Sequence, residues 1–256
     1  MSYILGAFAF ILDGVNWQGE LGIAARLLQH LQITVLSVVI AAAIAVPLGL
    51  LIGHTGRGRS AVIGVTGAAR ALPTFGVLTL FVLVGLQFGA GLSLTPVIVV
   101  LVILAIPPLL AGAYAGVEAV DRLTVDAARA QGMTEWQVLT RVELPLALPL
   151  LVGGLRSATL QVIATATIAA YVAQGGLGRY LIEGIQSRDY LRAVVGAVLV
   201  AALALLVDGL LAAVQKLVVP RGVSRGVTRT KRSSTGSTAN RPARSIDATR
   251  TPVTEG

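Results

Sequence analysis

Apolar runs of membrane-spanning length alternate with short polar breaks along this chain. Five such runs stand out: Leu31–Ile52, a second within Ala61–Leu86, Thr95–Gly116, roughly Leu146–Tyr171 and about Leu191–Leu217. Each approaches the ~20 apolar residues with which a helix crosses a ~30 Å hydrocarbon core. Ahead of them, Tyr3–Leu12 is apolar but, at about ten residues, too short to span. It also lacks the basic flank of a signal peptide, although an additional short span there stays open. Leu21, Ala24, Ala25, Leu27, Leu28 and Leu31 recur at helical spacing, with Glu20, Arg26 and Gln29 between them. That pattern predicts an interfacial helix leading into the first span. The chain thus divides into an N-terminal extracytoplasmic or interfacial segment at 1–30, a transmembrane domain at 31–219 and a polar tail at 220–256.

Within the spans, local breaks carry information. Thr34, Ser37 and the Gly49-x-x-x-Gly53 spacing predict close helix contacts in the first span, and Pro47 predicts a kink. The second span is interrupted by Arg70–Gly76, RALPTFG, where Pro73 removes a backbone donor and Gly76 loosens the helix. Broken backbone at membrane depth is tolerated only where it is buried in protein or lines a cavity, so Pro73 and Gly76 are candidate pathway residues. Gln87–Leu94 is an uncharged turn, and Pro107 and Pro108 fall inside the third span. Residues 173–190, AQGGLGRYLIEGIQSRDY, read as a loop. There Gly175, Gly176 and Gly178 are candidates for bending the outer end of the pathway, where a gate needs backbone freedom.

Composition supports a membrane protein: 55% of residues are hydrophobic, 12% are charged and the mean hydropathy is +0.83. An ordinary soluble domain carries roughly 25% charged residues. Cysteine is absent, which removes disulfides and Cys-ligated metal sites. His30 and His54 lie in separate regions, so no metal is expected. Of the net charge of +8, residues 221–256 supply eight Lys/Arg against two acids. That placement fits topology and anionic lipid headgroups rather than nucleic acid. The tail is rich in Ser, Thr, Arg and Gly, and disorder is expected. With the polar segment after the third span placed on the cytoplasmic side, fourteen Lys/Arg fall inside and three outside, Arg26, Arg179 and Arg188. The bias predicts an outside N-terminus and a cytoplasmic C-terminus.

That polar segment is Asp126–Pro145, DAARAQGMTEWQVLTRVELP, with charges at Asp126, Arg129, Glu135, Arg141 and Glu143. A short helix is expected over Thr124–Gln131, its surface kept low by Ala127, Ala128 and Ala130. Gly132 is placed as the left-handed residue that ends it. Thr134-x-x-Gln137 has capping-box spacing and predicts a second helix, which is expected to stop before Pro145. Small residues at a sharp bend let a soluble partner approach the backbone. An amphipathic loop resting on the membrane is the other reading.

The run Asp126-Ala127-Ala128-x3-Gly132-x9-Val142-x-Leu144-Pro145 resembles the EAA motif of ABC importer permeases. The usual pattern is Glu-Ala-Ala-x3-Gly-x9-Ile-x-Leu-Pro, and the departures are Asp for Glu and Val for Ile. The resemblance extends over roughly residues 17–219. ALPTFGVLTL at 71–80, VELPLALPLLVGGLRSA at 142–158 and AQGGLG at 173–178 are similar to the osmoprotectant branch, though AQGGLG also occurs in methionine-type importers. The resemblance implies an all-α polytopic, MetI-like ABC importer transmembrane domain with about five core helices and a cytoplasmic coupling helix. In that scheme Asp126, Ala127, Ala128, Gly132, Val142, Leu144 and Pro145 dock on a separate ATP-binding subunit. ATP is expected on that partner and no cofactor on this chain, which has no GxxxxGK[ST] loop. The other implied partners are an extracytoplasmic substrate-binding protein, a second permease copy or a related permease, and membrane lipids. The implied location is the bacterial inner membrane. The implied substrate is glycine betaine, carnitine, choline or a related quaternary amine, with another small zwitterion such as an amino acid as the alternative.

Single residues add less. Arg70 and Arg156, near the inner ends of their spans, are expected to snorkel to lipid phosphates. Asp208 lies well inside the fifth span, where a carboxylate is costly and faces protein or water. Its two open roles are attracting a cationic substrate and pairing with an arginine of another helix. Trp17, Tyr171 and Tyr180 read as interfacial anchors, with stacking on a quaternary ammonium as the other role. An ion-coupled secondary transporter would use Arg70 or Asp208, but no inverted repeat supports it. A scaffold recruiting a soluble regulator is a third reading. No nucleophile–base or metal-ligand constellation points to an enzyme.

Overall fold

Five apolar runs become helices, but not one helix each. The computed structural model describes residues 2–71, 73–89, 94–172 and 175–219, so the expected disorder of 220–256 lies outside the described residues. In order, the helices are α1 (Ser2–Leu12), α2 (Ile23–Thr55), α3 (Arg59–Ala71), α4 (Thr74–Gln87) and α5 (Leu94–Glu118). They continue with α6 (Arg122–Ala130), α7 (Glu135–Val138), a π turn at Leu139–Glu143, α8 (Leu144–Ala169), α9 (Gly178–Gln186) and α10 (Tyr190–Val218). Among the described residues, four apolar helical runs are long enough to cross a membrane: α2, α5, Glu135–Ala169, which contains α8, and α10. The remaining expected span is divided. Its halves α3 and α4 have 13 and 14 residues, and Pro73 between them is extended, with ψ of 103°; with no N–H, it could not have continued the helical hydrogen bonding of α3.

Several boundaries differ from those expected. The interfacial helix and first span are one uninterrupted α2 of 33 residues, about 50 Å long at ~1.5 Å per residue. Pro47 lies inside it, and the helix stops at left-handed Gly56 (φ +68°). The stretch 173–190 is not all loop, because α9 forms within it. Tyr180 and Gly184 on the buried face of α9 pack towards α10. The second helix of the polar segment does not stop before Pro145. The Leu144 N–H reaches back to the Leu139 carbonyl, and this widened turn relieves the crowding that a proline ring otherwise causes in an α-helical turn.

The core is the packing of α2, α5 and α8. Small residues set its spacing: a Cβ on Gly49 would stand 2.7 Å from Ala113 Cβ, and one on Gly112 only 2.8 Å from Gly154 Cα. Val100, Leu101, Ala105, Leu109, Ala158 and Val162 fill the space between. Pro108 deprives the Leu104 carbonyl of its helical donor, and Gln161 Nε2 of α8 donates to it instead at 3.1 Å. A proline in a membrane helix is accommodated when a neighbour takes over the freed acceptor. On the far side, α1 and α9 pack against α10, with Ala7 and Val195 fully buried. Large apolar side chains of α2 and α10, such as Val35, Val39, Leu205 and Leu206, remain exposed, as a membrane setting allows.

Candidate functional site

The polar segment folds around a small core of its own. Asp121 caps α6 by accepting the Leu123 N–H at 3.1 Å, a start two residues earlier than expected. Gly132 is left-handed (φ +85°), so the chain can reverse while its N–H bonds Arg129 O at 2.9 Å and the Met133 N–H bonds Ala128 O at 3.3 Å. Thr134 and Gln137 form the reciprocal capping box that opens α7. Inside the bend, Val120, Val125, Ala128 and Val138 are buried, with Met133 and Val142 against them. Ala128 and Val142 therefore serve this core, whereas Asp126, Ala127 and Gly132 are exposed and Leu144 and Pro145 are half-buried. Around the bend, Leu123 and Trp136 are 77% and 72% exposed. Leu123, Thr124, Ala127, Ala128, Gln131, Met133 and Val142 line an open depression.

Charges tie this unit together. Arg129 donates to Glu135 through Nε and a terminal nitrogen, both at 2.9 Å, and reaches Asp126 at 3.4 Å. Glu135 raises the Arg129 pKa above its usual value, chiefly through that hydrogen bond. His54, from the last turn of α2, touches Glu143 with Nδ1 and Glu135 with Nε2. Neither this role of His54 nor the burial of Glu143 was visible from the sequence. The two residues are 89 positions apart, and only the fold joins them.

The pathway and gate candidates fall into three places. Gly175 (φ +150°) and Gly176 (φ +73°) are left-handed and lie against the N-terminal half of α2, where the Gly176 N–H donates to Gln29 Oε1 at 3.1 Å. Gly178 has another duty, since a Cβ there would run into the Thr167 carbonyl of α8. Pro73 and Gly76 flank Phe75, whose ring meets Tyr171 edge-on with centroids 5.7 Å apart. Asp208 is remote from the Phe75–Tyr171 contact: it binds Arg156, which lies about 20 Å along α8 from Ala169 at ~1.5 Å per residue, and Tyr171 follows just beyond. Arg156 Nε and a terminal nitrogen each donate to an Asp208 oxygen at 2.9 Å, and the other terminal nitrogen donates to Gln215 Oε1 at 3.1 Å. Arg156 is thus paired inside the bundle rather than extended towards lipid phosphate. The Arg70 side chain lies outside the described residues. Trp17 Nε1 donates to Ile11 O at 2.7 Å, closing the end of α1. Tyr180 is buried with its hydroxyl on Leu21 O at 3.0 Å and Arg192 over its ring.

Residues 45–220 match the family described as binding-protein-dependent transport system inner membrane component. The chain is 33% identical over 195 residues to the glycine betaine/carnitine/choline transport system permease protein OpuCB of Bacillus subtilis (strain 168), covering 76% of this chain and 88% of that one. It is 31% identical over 214 residues to the osmoprotectant import permease protein OsmW of Salmonella typhimurium, covering 84% and 97%. Among solved structures, a chain of the inward-facing MetNI methionine ABC transporter superposes with a TM-score of 0.68 at 20% identity, over 77% of this chain and 96% of that one.

Proposed function

The chain belongs to the binding-protein-dependent transport system inner membrane components, and from that premise we propose that it carries quaternary-amine osmoprotectants, such as glycine betaine, carnitine or choline, in an ATP-driven importer. It is a multi-pass membrane permease subunit. In our reading ATP is hydrolysed by a separate subunit that seats on the Asp126–Pro145 segment. Substrate is delivered by a binding protein on the opposite side, and two permeases form the pathway. The Lys/Arg asymmetry supports a cytoplasmic location for the segment. Permeases 33% and 31% identical to this one, with names specifying glycine betaine/carnitine/choline and osmoprotectants, support the substrate class.

One observation carries the coupling assignment. The segment builds a bend with its own core, yet presents Asp126, Ala127 and Gly132 of the motif outward, beside exposed Leu123 and Trp136. A face that mixes a carboxylate and small residues with two large apolar side chains suits a shaped protein surface better than lipid alone. The ion-coupled alternative is weakened by Asp208, whose two oxygens are already held by Arg156.

Gly132→Asp tests the docking role. No atom lies within 4 Å of a Cβ built there, so the chain accepts the side chain at the strain of a left-handed residue, about 1–2 kcal/mol. A carboxylate is nevertheless introduced into the face meant for the partner. Folded permease should be recovered in detergent, with the co-purifying ATP-binding subunit and uptake both reduced about tenfold, as loss of about 1.4 kcal/mol at the contact would give. Normal assembly and normal uptake would sink the assignment. The substrate class is tested by isolating the binding protein with the complex and titrating glycine betaine, carnitine, choline, ergothioneine and methionine. Saturable binding of methionine alone would overturn it.

A further inference from the structure

We propose that His54 is the positioning residue through which α2 follows the docking segment during transport, an inference that rests on the coupling role assigned above. The docking segment is joined covalently to α5 through α6 and to α8 through the π turn. It is not next to α2 in the chain. Movement of the segment reaches α2 indirectly, through the packing of α2 on α5 and α8, and directly through His54, whose ring meets the segment's carboxylates.

The geometry is that of a two-point pin. The His54 side chain is 10% exposed, and each ring nitrogen faces a carboxylate oxygen. Nδ1 meets Glu143 in the π turn, and Nε2 meets Glu135 at the start of α7 at 3.1 Å. A ring with one proton can donate to only one of the two; a ring with both protons donates to both. The Glu143 side chain is 6% exposed, and among the described residues His54 is its only ion-pair partner. A carboxylate this buried needs such a partner, so the π turn stays fastened to α2 only while the histidine is in place. Glu135 extends the pin outward, because Arg129 grips its carboxylate and reaches Asp126, the first residue of the motif. The contacts thus run unbroken from α2, through both helices of the bend, to the exposed face. A cavity of about 250 Å³ lined by His54, Arg59, Glu118, Arg122 and Arg129 opens beside the pin. Water can enter there when the contact parts and leave when it re-forms.

The complete complex, with ATP-binding subunit and binding protein, would be reconstituted in proteoliposomes as wild type, His54→Ala, Glu143→Gln and the double variant. ATP hydrolysis and uptake are measured on the same vesicles, with glycine betaine, carnitine and choline as probes, alongside the amount of ATP-binding subunit retained. His54→Ala should retain that subunit and lower uptake per ATP hydrolysed by roughly fivefold or more, the lower end for coupling between separate sites. The double variant should be no worse than His54→Ala alone, since both changes break one contact. If His54→Ala does not assemble, His54→Gln is read by the same ratio. A purely structural role would lower yield and both rates together and leave the ratio at its wild-type value, and that result overturns the proposal. A wild-type complex that retains no ATP-binding subunit would instead overturn the coupling role itself.

Discussion

The Arg156–Asp208 pair shows how an ionised side chain is kept inside the bundle. Two parallel hydrogen bonds at 2.9 Å join the groups, and Gln215 occupies a third guanidinium donor while its own amide nitrogen donates to Pro149 O at 3.0 Å. Every strong group of the pair thereby has a partner. Each ion is about a third exposed, so the attraction is partly screened, and the larger penalty comes from breaking the pair on one side only. Asp208→Asn should destabilise the protein by about 1–3 kcal/mol, the range for a group left without its partner. The double variant Arg156→Gln with Asp208→Asn should be less harmful than either single change. Thermal unfolding in detergent, followed by loss of monodisperse protein, checks both. A carboxylate deep in an apolar run announces from sequence alone that it needs a partner, but not which one. Arg156 is 52 positions away, and a lone arginine near a span end reads equally well as a lipid contact.

Between elements, the decisive quantity is how closely backbones approach. Gly112 and Gly154 sit face to face where α5 crosses α8, and a Cβ on either would lie within 2.9 Å of backbone on the other helix. Backbone cannot swing away as a side-chain tip can, so the helices must separate. Gly112→Ala should therefore cost about 1–3 kcal/mol, the usual penalty for overpacking, and lower the yield of folded permease. Gly153→Ala is the control, because nothing lies within 4 Å of its Cβ and alanine favours the helix. Equal stability of the two variants would show that the α5–α8 spacing is not set at Gly112. Elements with strong local signals were legible beforehand: the long apolar runs, the break at Pro73, the left-handed Gly132 and the Thr134–Gln137 capping box. The π turn was not, because nothing in LTRVELP distinguishes a helix that stops before proline from one that widens to pass it. The helix α9 was also hidden. Its nine residues mix glycine and charge, and its burial depends on Tyr180 and Gly184 meeting α10.

At the scale of the molecule, α2 is tied to both candidate sites by side-chain contacts. Near its N-terminal end Gln29 accepts the Gly176 N–H, and His30 Nε2 lies 3.2 Å from Ile163 O. At its other end His54 holds Glu143 and Glu135. Gln29 and His54 are about 37 Å apart along an uninterrupted helix at ~1.5 Å per residue, so a displacement at one end must appear at the other unless the helix bends at Pro47. Gln29→Leu keeps the bulk of the side chain but removes the acceptor, leaving the Gly176 N–H without its partner at a cost of about 1–3 kcal/mol. The loop around Gly176 should then open more often, and backbone hydrogen exchange at residues 175–178 should rise by about tenfold, the factor that corresponds to about 1.4 kcal/mol. Binding of the ATP-binding subunit, at the far end, should be unchanged. The more demanding expectation concerns His54→Ala, which touches nothing near the Gly176 loop. If α2 moves as a rod, releasing its C-terminal end should also change exchange at residues 175–178; if Pro47 acts as a joint, exchange there should respond to Gln29→Leu alone. Unaltered exchange in both variants would remove α2 from the link between the two ends of the permease.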